Sequence, residues 1–282
     1  MNRRQFLRNA ALGTVGAYAV VSGLSVAATN SNQAYDLEVV QREIALPGLP
    51  SGLNGLRAVQ LSDMHMGRFV SQEFLEKAVR LALDQKPDLA FLTGDFVYYH
   101  ADTQRGVSEL TETLPLLTDK MPVYAVLGNH DYGTWDGLEA MFKKLGIQEL
   151  ANAVTTYQRG GDSLYLGGVG CVTFQRDDLP AVARQIPDHV PAILLCHEPD
   201  LVDQTAQTGK FALQISGHSH GGQINLPLAK GLILPEYGRK YPIGLYHVGN
   251  MVQYTNRGVG MIHVPVRVDC RPEITVFTFV SA

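Results

Sequence analysis

The chain reads as an α/β protein, a four-layer α/β/β/α sandwich in which two mixed sheets pack face to face. Three observations predict this. The first half alternates strand, helix, strand, helix, strand, the pattern of a parallel unit with right-handed crossovers. The second half carries strands at closer spacing, so it reads as another sheet, more antiparallel than the first. Five strand-like runs each end in Asp, Asn or His, and those ends are expected to meet along one edge, where open α/β sheets hold their ligands.

The first thirty residues stand apart. Asn2-Arg3-Arg4-Gln5-Phe6-Leu7-Arg8 precedes an uncharged run rich in Ala, Gly and Val from Asn9 to Ala28. Adjacent arginines, Phe-Leu and a weakly apolar run resemble a twin-arginine export signal. A membrane anchor is the competing reading, because the run approaches the ~20 residues that span a bilayer. Its glycines and Ser22 make it a poor one, and Ser25, Ala27 and Ala28 offer cleavage sites. We therefore expect residues 1–28 to be the signal peptide and 29–282 a single domain. The twin-arginine translocase would be a partner during export, and the destination the periplasm or cell wall, free or membrane-associated.

At 282 residues the chain can bury a substantial core. Its net charge of −4 becomes about −7 without the three early arginines, so no general attraction to nucleic acid is expected. Cys171, Cys196 and Cys270 cannot all pair with one another. Cys196 lies in an apolar run and reads as a buried thiol.

Tyr35 to Leu46 partly alternates apolar with polar residues, as a half-exposed strand does. Pro47 to Gly52 turns the chain into the strand Leu56 to Leu61. Ser71 can cap a helix whose Phe74, Leu75, Ala78, Val79, Ala82 and Leu83 fall at helical spacing, closed by Pro87. The strand from Leu89 follows, then a helix over about Thr103 to Leu117, the strand Val123 to Leu127 and a helix from Trp135 to Leu145. Strands are expected at Val154 to Gln158, Ser163 to Val169, Ala192 to Cys196, Phe211 to Ile215, Val252 to Thr255 and Ile274 to Phe279. A single short helix, Leu179 to Gln185, interrupts them.

The chemistry lies at the strand ends. They carry Asp63-Met64-His65, Gly94-Asp95, Gly128-Asn129-His130-Asp131, His197 and Gly217-His218-Ser219-His220. Glycine lets the backbone turn tightly, Asn offers a neutral oxygen, and His offers a nitrogen or a proton. Singly each motif has a bland account, such as a capping aspartate. All five, each after a strand, read as a metal site with Asp95 at its centre.

In this order and without substitution, the motifs resemble those of the calcineurin-like metallophosphoesterase family, over about Leu56 to Phe279. Gly221 to Pro227, Tyr237 to Tyr241 and Gly244 to Tyr246 are similar to the exported phosphodiesterase branch, which includes enzymes like UDP-2,3-diacylglucosamine hydrolases. The resemblance implies one metal held by Asp63, His65 and His220, a second by Asn129, His197 and His218, and Asp95 bridging both. Mixed N/O donors without thiolate suit Mn, Zn or Fe, with Mn favoured. Such a pair acidifies a bridging water, whose hydroxide attacks the phosphoester, and clamps the phosphate oxygens. His130 would act as general acid or orient the phosphate, and Asp131 would set its tautomer or raise its pKa. The substrate expected is a phosphodiester or pyrophosphate of the cell envelope, a lipid-linked one included. The family pattern leads one to expect acidic residues after Gly168-Val169, where Gly170 and Cys171 stand instead.

Two other readings compete. Gly217-His218-Ser219-His220-Gly221 fits the nucleophile elbow of serine α/β-hydrolases, with Ser219 as nucleophile, but Gly221 to Pro227 is a poor helix start. A silent scaffold of the same fold would have lost ligands. Arg68, Tyr132, Arg239, Tyr241 and Arg257 could contact a phosphate or leaving group, and equally well form a solvated face. His100, His189, His247 and His263 match no motif.

Overall fold

The computed structural model describes residues 32–98, 103–133, 135–225 and 234–282. The expected signal peptide, His100, Leu226 and Pro227 lie outside them. Twelve strands form two six-stranded sheets among the described residues. The first holds β1 (Glu38–Leu46), β2 (Leu56–Leu61), β3 (Leu89–Thr93), β4 (Val123–Val126), β5 (Gln148–Glu149) and β12 (Glu273–Ser281), in the order β1-β12-β2-β3-β4-β5. The second holds β6 (Ala153–Arg159), β7 (Asp162–Gly168), β8 (Ala192–Leu195), β9 (Leu213–Ser216), β10 (Gly244–Val248) and β11 (Met251–Thr255), in the order β10-β11-β9-β8-β7-β6.

Helices cover the outer faces. α1 (Gln72–Leu83), α2 (Thr103–Thr113), α3 (Pro115–Thr118) and α4 (Trp135–Leu145) pack on the first sheet, α5 (Leu179–Gln185) and α6 (Val202–Thr208) on the second. Local chemistry sets several ends. Ser71 Oγ accepts from the Phe74 amide at 3.2 Å at the start of α1, and Asp178 caps α5 through the Ala181 amide at 3.0 Å. Gly209, at φ 64°, ends α6.

Alternation within the strands divides the core into three layers. Leu56, Ala58, Phe91, Val126, Phe277 and Phe279 from the first sheet meet Leu166, Ile193, Leu195, Ile215 and Tyr254 from the second. Val59, Leu61 and Leu92 point the other way, toward the helices. The result is the four-layer α/β/β/α sandwich.

The structure corrects the sequence reading in several details, adding β5 and β10 among others. The C-terminal strand β12 returns to the first sheet, between β1 and β2, parallel to one and antiparallel to the other. As expected, the second sheet is the more antiparallel of the two: it is antiparallel at both edge pairs and parallel through β11-β9-β8-β7, whereas the first has one antiparallel pair. A second helix, α6, lies between β8 and β9. It is seven residues long and, apart from Val202 and Ala206, polar, so its apolar period was too short to read.

Phe277, fully buried, stands edge-on to Tyr254 of the facing sheet, with ring centroids 5.2 Å apart. Phe277→Ala is expected to cost about 3–5 kcal/mol in urea denaturation, with little change in the denaturant slope.

Candidate metal centre

The ligand-bearing loops are shaped by backbone conformations that side chains rarely adopt. Asp63, His65, Asp95, His218 and His220 all have φ between 45° and 71°. Such left-handed residues are uncommon outside glycine, and their concentration here marks a site whose geometry is held by its surroundings. The loops hold one another: the Asp63 amide donates to Gly94 O and the His65 amide to Asp95 O, each at 2.9 Å. Gly128 and Gly217 have no room for a side chain. A Cβ on Gly128 would strike Asp95 Oδ1, and one on Gly217 would strike Ser62 Oγ and Asp63 Oδ2.

Two groups of side chains result. Asp63, His65, Asp95 and His220 each offer one atom within 4.8 Å of the others, and Asp95, His197 and His218 do the same. Asp95 belongs to both, with Oδ2 3.5 Å from His65 Nε2 and 3.2 Å from His197 Nε2. His220 Nε2 lies 3.4 Å from Asp63 Oδ1. Asn129, on the loop after β4, has a buried Oδ1 without a hydrogen-bond partner.

These groups fit cations. His197 Nδ1 faces Thr93 O and His218 Nε2 faces Glu236 O, each at 2.7 Å, so those nitrogens carry the protons. Their other nitrogens, His197 Nε2 and His218 Nδ1, then face each other at 3.2 Å. Across the site the Nε2 atoms of His65 and His220 approach to 3.0 Å. Ring nitrogens at such distances must share a proton or a cation between them. Burial lowers His65 to about 3 and holds His220 well below the ordinary imidazole range, so both rings are neutral. Burial also raises Asp63 to about 6. It opposes charge on His197 as well, yet Asp95 holds that ring well above its usual value.

His130 is placed beside this set. Its amide donates to Asp95 Oδ1 at 2.9 Å, its ring lies edge-on to His65 with centroids 4.8 Å apart, and its Nδ1 lies 3.1 Å from Tyr98 O. Asp131, expected to act on that ring, accepts from the backbone of both loops. Its Oδ2 accepts from the Asp95 and Gly128 amides and its Oδ1 from Phe96, at 2.8–2.9 Å. It therefore ties the β3 loop to the β4 loop, and the Tyr98 carbonyl orients His130.

Other residues singled out from sequence have structural partners. Ser219 Oγ donates to Pro242 O at 2.5 Å, and one 3-10 turn follows it, unlike a nucleophile elbow. The amides of Arg239, Lys240 and Tyr241 bind Asp200, and Arg257 pairs with Glu38 and Glu273. Sequence reasoning missed Glu198 and Arg267. Glu198, next to His197, accepts from the Cys171 thiol at 2.9 Å. The acid near Gly170-Cys171 thus comes from another strand, and a second carboxylate at 171 would oppose it. Arg267, fully buried, donates to the carbonyls of Arg257, Gly258 and Gly260 and lies 3.4 Å from His220 Nδ1. A loop arginine carries no sequence signal for that position.

Two stacked sheets whose strand ends bring buried Asp and His into two groups sharing one carboxylate define a metal-dependent hydrolase. The chain belongs to the calcineurin-like phosphoesterase family, whose model matches residues 56–222. It is 32% identical over 289 residues to the uncharacterized metallophosphoesterase YkuE of Bacillus subtilis strain 168, covering 100% of this chain and 98% of that protein. Phosphodiesterase YaeI of Escherichia coli K12 is 32% identical over 224 residues, 78% of this chain and 80% of its own length. Among solved structures, the sulfate thiohydrolase SoxB of Thermus thermophilus shares the fold, with a TM-score of 0.50 and 13% identity over 75% of this chain and 53% of that one.

Asp95→Ala is expected to purify with no bound divalent metal, whereas His130→Ala retains the wild-type content. Elemental analysis of the two variants checks this; metal loss from the His130 variant would make His130 a ligand.

Proposed function

We propose that this metal-dependent phosphoesterase hydrolyses a phosphodiester or pyrophosphate of the cell envelope, a lipid-linked one included. The observation that carries the reading is the pair of ligand groups sharing Asp95. Asp63, His65 and His220 would hold one divalent cation, Asn129, His197 and His218 the other, with Mn favoured over Zn or Fe. Bound cations supply Lewis acidity toward phosphate oxygens and lower the pKa of a coordinated water. The diester preference is supported by the phosphodiesterase relative. The envelope setting is supported by Arg3-Arg4 with Phe6-Leu7 and by the likeness of Gly221 to Tyr246 to exported phosphodiesterases, those resembling UDP-2,3-diacylglucosamine hydrolases included.

The chain's own residues account for the rest. Asp131 and the glycine contacts fix the two loops before substrate arrives. The Tyr98 carbonyl receives the proton on His130 Nδ1, leaving Nε2 as the atom that exchanges a proton with substrate. Protonated on both nitrogens, His130 donates to the departing oxygen, and donation of this kind is typically worth about 10² to 10⁴ in rate.

With Mn²⁺, Zn²⁺ or Fe²⁺ supplied, hydrolysis of bis-p-nitrophenyl phosphate is expected to exceed that of p-nitrophenyl phosphate and p-nitrophenyl acetate. Activity on the acetate alone would overturn the reading in favour of a Ser219 nucleophile. His130→Ala should lose about 10² or more on an alkyl diester, which needs a proton on its leaving group, and far less on nitrophenyl esters. Equal losses would leave His130 only a phosphate-orienting role. Replacing Arg3 and Arg4 together by lysine should trap the precursor in the cytoplasm, read by cell fractionation; unchanged export would refute the twin-arginine route.

A further inference from the structure

The loop after β7 is fastened from two sides of the metal centre. Glu198, fully buried and adjacent to His197, accepts from the Cys171 thiol at 2.9 Å and from the Thr173 amide at 3.0 Å. From the other side, the Cys171 amide donates to the hydroxyl of Tyr132, three residues after Asn129, at 3.2 Å. The loop closes on itself through Gln175 N to Val172 O at 2.9 Å and Arg176 N to Cys171 O at 3.0 Å. It is thereby clamped between the strand ends that supply Asn129 and His197.

Phe174 stands at the crest of this loop. At 52% it is the most exposed of the large hydrophobic side chains among the described residues, and its ring lies 5.5 Å from that of Tyr132. A single exposed aromatic needs no explanation. This one is held out by a buried carboxylate and a buried thiol, on a loop tied to Glu198 beside His197 and to Tyr132 three residues after Asn129. Such preorganisation spares a ligand the cost of ordering the wall it meets.

We propose that Phe174, backed by Tyr132, is a specificity-determining wall that receives an apolar ester substituent of the substrate, an aryl ring or an alkyl chain, while the phosphate lies at the ligand groups. Glu198 acts as a positioning residue, through Cys171 and Thr173. The inference rests on the phosphoesterase reading above and names the substrate class of that site. The two sources of apolar substituent differ in shape, so they can be told apart.

Calorimetric titration of the Mn²⁺-loaded full-length protein with methyl, phenyl and butyl phosphate tests it independently of turnover. Phenyl phosphate should bind about fivefold to tenfold more tightly than methyl phosphate, the gain of one aromatic contact. Phe174→Ala should abolish that preference while metal content and methyl phosphate affinity stay within about twofold, and Phe174→Tyr should restore it. A gain shared by butyl phosphate identifies alkyl chains as ligands, and a gain confined to phenyl phosphate identifies flat rings. Equal binding of methyl and phenyl phosphate to the wild type, or a preference that survives Phe174→Ala, would overturn the proposal. Failure of the phosphoesterase reading would show separately, as phosphate binding without hydrolysis of any phosphodiester.

Discussion

The constraint on which the structure depends is the burial of carboxylates and imidazoles against one another. His65, His197, His218 and His220 are buried with Asp63 and Asp95, and their polar atoms crowd within 4.8 Å of one another in two groups. Each group alone would cost free energy to remove from water, and together they cost more unless positive charge is shared among them. Asp95 occupies the middle because its Oδ2 reaches rings from both groups. A site of this composition suits a cation, which is why its chemistry can be read from its electrostatics.

Holding that arrangement requires a stiff frame. Five site residues sit in left-handed backbone conformations, each disfavoured for a residue with a side chain. Asp131 offsets part of that cost by accepting amides from both loops, and it leaves no amide among Asp95, Phe96 and Gly128 to seek water. Beneath the loops, the apolar layer between the sheets fixes where the strands end. The strain is thus local, while the packing that maintains it extends across the sandwich.

The same frame shapes what surrounds the centre. Cys171 stands where an acid was expected, and its thiol donates to Glu198 instead of repelling it. A hydrogen bond replaces a like-charge contact, so the loop carrying Phe174 can approach the His197 strand end. Arg267 does comparable work on the far side, gathering three carbonyls of the chain after β11 next to His220. Neither residue would touch a cation, yet both decide how closely the walls of the site stand.

By itself the sequence determined ten of the twelve described strands, most of the helices and the motif at each strand end. Apolar runs, a capping serine and Gly-Asn-His-Asp are local signals, and local conformation follows from them. It also marked Asp63, His65, Asp95, Asn129, His197, His218 and His220 as residues at strand ends, and the structure gathers all of them but Asn129 into the two groups. Only the tertiary structure decided that β12 enters the first sheet between β1 and β2, since either sheet satisfies an apolar strand and the choice rests on partners more than two hundred residues away. Only it showed that Tyr98 O meets His130 Nδ1 while Asp131 gathers the amides of two loops, and that Glu198, Cys171 and Arg267 support the site. Those roles come from hydrogen bonds between residues far apart in sequence, whose directions are set by packing and leave no periodic trace in the chain.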